Sequence, residues 1–134
     1  MGTKFSLKDP NPGVGFLFDE NDPESGKIYI RVMNAAKAQE ITQATTKKKV
    51  EYKHGQRFEI VETDEDKRSR LLWDYTIVGW ERLEDDAGNP IECTTENKMK
   101  LMLESVPFAA FVGSCINKLN AEYEMLREEA EKNS

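Results

Sequence analysis

The octapeptide KIYIRVMN, Lys27–Asn34, decides the architecture of this chain. Ile28, Ile30 and Val32 alternate with Tyr29, Arg31 and Met33, the period-two pattern of a strand with one buried face. On its N-terminal side lies the turn-forming run Asn21-Asp22-Pro23-Glu24-Ser25-Gly26. Before that run, Val14, Phe16, Leu17 and Phe18 form a short apolar segment. Two extended segments around one polar loop predict an antiparallel hairpin. Further upstream, Asp9-Pro10-Asn11-Pro12-Gly13 predicts an irregular turn.

On the C-terminal side, Asn34 is a plausible cap for a short helix through Ala35, Ala36, Ala38 and Ile41. Lys48–Tyr52 and Arg57–Glu62 then read as two strands around Lys53-His54-Gly55-Gln56. Val50, Tyr52, Phe58 and Ile60 are expected to face inward, with Gly55 in the left-handed position of the turn. Thr63 followed by Asp66 resembles a capping box and predicts a helix from about Asp64 to about Val78. Its end carries Leu71, Leu72, Trp73, Tyr75, Ile77, Val78 and then Trp80. A helix apolar on nearly every side is expected at the centre of the core.

Glu84–Pro90 is a polar turn and Ile91-Glu92-Cys93 is extended. Thr94 or Thr95 can cap a helix over Glu96–Glu104 with Met99, Leu101, Met102 and Leu103 inward. Pro107 suits the first turn of the last and longest helix. Phe108, Val112, Cys115, Leu119, Tyr123, Leu126 and Ala130 recur there at steps of three and four, widened by Phe111 and Ile116. About 24 residues at 1.5 Å each give roughly 36 Å, more than a small sheet needs as cover. The charged end, Glu122–Lys132, is expected to project into solvent or onto another molecule. The fold class is therefore α+β, as one domain over 1–134. Residues 1–62 form the small antiparallel sheet with one short helix, and 63–134 are mainly helical.

The chain has 134 residues, 38% hydrophobic and 33% charged, with a net charge of −6. The charge is uneven. Residues 1–61 hold ten basic and eight acidic side chains, whereas 62–134 hold nine and seventeen. An acidic half repels phosphate backbones, so no nucleic-acid partner is expected. Lys47-Lys48-Lys49 is the only basic run and reads as a solvated strand end. No run of about 18 apolar residues predicts a membrane span, and no apolar signal core follows Met1. A cytoplasmic protein with Cys93 and Cys115 as reduced thiols is expected.

Catalytic and metal patterns are missing from the sequence. His54 is the single histidine and sits in a turn. There is no zinc spacing, and counting an EF-hand loop from Asp19 puts Pro23 at the fifth position and Ile30 at the twelfth, where oxygen ligands belong. No catalytic residue, metal or cofactor is assigned, and the sequence points away from an enzyme. Apolar surface remains. Trp80, after Gly79, reads either as a core lid or as an exposed anchor. Tyr123, Met125 and Leu126 either pack back on the domain or bind a partner; with Trp80 they are the candidate partner-binding residues.

Leu72–Leu119 carries a set of punctuating residues. Ile77 and Trp80 stand before the turn Asp86-Ala87-Gly88. Pro90, Thr94, Glu96 and Asn97 lead into a helix with Leu101, and Pro107-Phe108 opens the last one. With Phe16, Phe18 and Lys27–Val32, this pattern resembles the tail assembly chaperones of long-tailed bacteriophages and prophages over about two thirds of the chain. The resemblance implies a cytoplasmic helper of tail morphogenesis. It would coat the tape measure protein before the tail tube forms, contact the tail tube protein and self-associate. The rival reading is a small permanent tail component, such as a tail terminator or head–tail connector.

Overall fold

The structure, a computed structural model, describes residues 2–3 and 12–132. The Asp9-Pro10-Asn11 part of the expected N-terminal turn, the Ser134 end and the side chain of Ala130 lie outside the described residues. The elements run β1 (Val14–Leu17), β2 (Lys27–Ile30), α1 (Ala35–Thr45), β3 (Thr46–Lys53), β4 (Gln56–Thr63), α2 (Glu65–Thr76), β5 (Ile77–Glu81), α3 (Thr95–Glu104) and α4 (Val106–Lys132). The fold is α+β.

The expected hairpin is present. β1 and β2 pair antiparallel with Phe16 opposite Ile28, and the loop closes through the Phe18 amide on the Gly26 carbonyl at 2.9 Å. A third strand, β5, pairs with the other edge of β2, giving the order β1-β2-β5. That strand corrects the sequence reading, which continued α2 through Val78. The helix ends at Thr76 because the chain turns extended at Ile77 and two α2 carbonyls find donors on Arg31, the residue after β2. The Arg31 amide bonds the Thr76 carbonyl at 3.0 Å and Arg31 Nε bonds that of Tyr75 at 2.6 Å. Ile77, Gly79, Trp80 and Glu81 then pair with the edge of β2, a demand that local helical periodicity cannot register.

A bulge decides which of those residues is buried. Ile77 lies opposite Ile30, while Gly79 lies opposite Tyr29, so Val78 is an extra residue in β5. Strict alternation would send Ile77 and Trp80 to opposite faces. With Val78 looped out, both face the core with Ile30 and Ile28, and Val78 is left 38% exposed.

The core lies between this sheet and α4. Ile28, Ile30 and Ile77 from the sheet meet Phe108, Val112, Cys115 and Leu119 from the helix, with Trp73, Trp80 and Leu101 packed around them. The centre is therefore the sheet–α4 contact and not the end of α2. Asn34, Asp64 and Thr94 cap the first three helices, accepting from the amides of Lys37, Lys67 and Asn97. Asp64 thus takes the position expected of Thr63. Ser105 both ends α3 and starts α4, accepting the Phe108 amide on its hydroxyl at 3.3 Å, and the axes turn through 103° there. Leu103, expected inward, is 75% exposed on the outside of this corner.

β3 and β4 form a separate two-stranded ribbon between α1 and α2. Its loop is only His54-Gly55, both with positive φ, the geometry of a two-residue hairpin turn that favours Gly. The resulting register puts Val50 opposite Glu59 and Tyr52 opposite Arg57, on the same face as Lys48 and Val61. Phe58 and Ile60 fall on the other face. The four residues expected to share one inward face are split between two, and every ribbon residue except Thr46 and Glu51 is exposed.

A polar latch joins α2 to α3. Lys98, 7% exposed, reaches the Asp74 carboxylate at 3.1 Å and the Asp74 carbonyl at 3.2 Å, and the Thr95 hydroxyl donates to the same carboxylate at 2.7 Å. Arg70 and Glu96 form an ion pair across the same helices. Partial burial pushes the Asp74 carboxyl upward, but the hydrogen bonds from Thr95 and Lys98 and the charges of Lys98 and Arg31 outweigh it and hold the group below 3.8. Its stabilising contribution is present above pH 3.8 and is lost as pH falls through the lower folded-state value. Asp74→Asn is expected to cost about 1–2 kcal/mol at pH 7, because it leaves the Lys98 ammonium without a counter-charge while half of Asp74 stays wet. Urea unfolding of the two proteins should differ at pH 7, begin to approach each other below about pH 3.8 and converge only below the lowered folded-state value; a gap that persists unchanged at acid pH would refute the latch's ionic character.

Candidate interaction surfaces

Trp80 is a lid. It lies opposite Ile28, its ring meets Phe108 edge-on at 6.0 Å, and its indole N–H donates to the Ile91 carbonyl at 2.8 Å. The hydrogen bond satisfies the polar atom that burial would otherwise orphan.

Tyr123, Met125 and Leu126 lie beyond the sheet. α4 has 27 residues, about 40 Å at 1.5 Å per residue. Its buried stripe ends at Leu119, and Tyr123, Met125 and Leu126 are 51%, 62% and 61% exposed. On a helical projection Tyr123 and Leu126 continue the line of Leu119, Glu122 and Glu129 border it, and Met125 lies beyond that border. The distal helix is thus an amphipathic face that has outrun its cover.

Two further apolar surfaces were missed from sequence. One is the ribbon. The other is the outside of the α3–α4 corner, where Leu103 and Val106 are exposed; a separate cleft of about 240 Å³, to which neither contributes, is lined by Phe18, Leu83, Ile91, Leu101, Pro107 and Phe108 among others. The corner was hidden because Leu103 falls at helical spacing with inward residues. Only the direction of the chain after Ser105 turns it outward.

The groups that could carry chemistry stand apart in the chain's elements. His54 is at the ribbon tip, Cys93 precedes α3, and Cys115 is on the buried face of α4. Burial pushes the Cys115 thiol up to about 11 and raises Cys93, which disfavours thiolates at neutral pH. Among the described residues no group of three or more His, Cys, Asp or Glu is placed to hold a metal ion. No single described helix is long and apolar enough to cross a membrane.

The fold and surfaces together define a small α+β domain with exposed apolar projections. No protein-family model matches the chain, and neither does any curated protein or solved structure.

Proposed function

We propose that this protein is a non-catalytic binding protein that holds another polypeptide during assembly, a phage tail assembly chaperone acting in the host cytoplasm. One observation carries the reading: large apolar side chains stand exposed on three projecting parts of a highly charged chain. They are Tyr52 at 73% on the ribbon, Leu103 and Val106 at 75% and 81% on the α3–α4 corner, and Tyr123, Met125 and Leu126 on distal α4. Grouped exposure of this kind marks contact surfaces. The resemblance to tail assembly chaperones names the partners as the tape measure protein and the tail tube protein.

The α3–α4 corner suits a helical segment of the tape measure protein. Two large aliphatic side chains stand exposed three positions apart on the outside of the corner, anchors of the kind an amphipathic helix packs against. A Leu103→Asp/Val106→Asp variant is expected to reduce capture of a co-expressed tape measure protein at least about tenfold, since each lost anchor is worth more than about 1 kcal/mol. Affinity purification with quantitation of the tape measure protein checks this. Failure of the unaltered chain to capture the tape measure protein would overturn the proposal. Abundant copies of the chain in mature virions, found by mass spectrometry, would also overturn it in favour of a permanent tail component.

A further inference from the structure

We infer that the ribbon of one copy docks on the distal α4 of a second copy. The inference rests on the reading of distal α4 as a docking surface and names its occupant.

Three observations favour this pairing. First, the charges are opposite. Residues 46–63 carry five Lys/Arg against three Asp/Glu, whereas 120–132 carry two against five. Lys47, Lys48 and Lys53 make no ion pair among the described residues, and the same is true of Glu122, Glu124, Glu128 and Glu129. Pairing distal helices with each other would set acid against acid, so the same charges oppose a helix–helix dimer.

Second, the docking face is already formed. Val50, Tyr52 and Val61 share one ribbon face with Lys48, Arg57 and Glu59; Arg57 and Glu59 pair with each other at 3.8 Å, so the face keeps a net positive charge through Lys48. On the helix, Tyr123 and Leu126 form the apolar line, bordered on one side by Glu122 and Glu129 and on the other by Arg127, which pairs with Glu131 at 3.8 Å. Apolar side chains meet apolar ones while Lys48 reaches a bordering carboxylate and Arg57, paired within the ribbon to Glu59, turns toward a second. The lysines of β3 discourage edge-to-edge strand addition, which leaves the ribbon face as its contact surface.

Third, the ribbon is long enough to carry the distal helix. Eight-residue strands span about 26 Å at roughly 3.3 Å per residue. The thirteen residues 120–132 span about 20 Å of helix.

Light scattering of the full chain over a concentration series tests the proposal. The mass should rise above 15.4 kDa with concentration and fall back as salt is added. K48E/R57E and E122K/E129K, each shown folded by circular dichroism, should both remain near the monomer mass. Mixing the two variants should restore association, because the acidic ribbon of one then meets the basic helix of the other. A wild-type chain that is monomeric at every concentration would overturn the inference. So would association that survives K48E/R57E, or a mixture that stays monomeric. The two readings fail separately: capture of the tape measure protein through Leu103 and Val106 can persist in a chain that never self-associates.

Discussion

Phe108→Ala is expected to destabilise the protein by about 4 kcal/mol, the largest effect of any single substitution considered for this fold. Phe108 is 7% exposed in the first turns of α4. Its ring stands 6.4 Å from Phe18 and meets Trp80 edge-on at 6.0 Å. Truncation removes the apolar surface that seats α4 on the sheet and leaves a cavity between elements tied in place by other bonds. Trp80 is anchored to the Ile91 carbonyl, and the Phe108 amide is held by Ser105, so neither side collapses freely into the space. With a urea slope of about 1–3 kcal/mol/M, the unfolding midpoint should fall by roughly 2 M. A fall below about 0.5 M would show that α4 is not seated here. Tryptophan fluorescence adds a local readout, since Trp80 loses its edge-on partner.

Ile77→Ala is expected to cost about 3 kcal/mol. Ile77 is fully buried, opposite Ile30, at the point where α2 becomes β5. The cost comes from three methyl or methylene groups withdrawn from the sheet–α4 contact. Ile77→Val keeps β-branching and most of the volume and should cost about 1 kcal/mol. Equal denaturation curves for wild type and Ile77→Ala would refute the placement of this residue in the core. Val78→Ala is the control: Val78 is looped out and 38% exposed, and its loss should cost about 0.5 kcal/mol, as at other surface sites.

The two large effects fall on residues that the sequence reading treated differently. Phe108 was legible as a core residue because four buried side chains from Phe108 to Leu119 follow helical steps. Ile77 was legible as apolar and buried but not as a strand residue. The segment Leu71–Trp80 is apolar at seven of its ten positions, and such a run fits a buried helix and a buried strand equally well. The change of state at Thr76 depends on Arg31, 45 positions upstream, whose amide and guanidinium donate to the carbonyls of Thr76 and Tyr75.

The interaction surfaces divide in the same way. Tyr123, Met125 and Leu126 could be singled out because the α4 stripe outlasts any small sheet, and the structure leaves them exposed. Trp80 was open between lid and anchor until its neighbours were placed. The corner at Leu103 and Val106 needed the 103° turn at Ser105. The ribbon was legible as a hairpin, and its two-residue turn already implied that Val50 faces Glu59. Either length of turn sets that register; taking the apolar residues one strand at a time, without pairing them across the turn, concealed the split of its apolar side chains.

Local chemistry written in the chain determined the β1–β2 hairpin, the caps at Asn34 and Thr94, the last helix and its excess length. Each depends on residues a few positions apart, where alternation, capping and helical spacing act directly. Tertiary structure alone decided that α2 yields to β5, that Val78 loops out so Ile77 and Trp80 share a face, and that the ribbon stands away from the core. Those outcomes depend on which distant backbone groups need partners and which surfaces the sheet and α4 have already covered, and such demands leave no periodic mark on the segments that meet them.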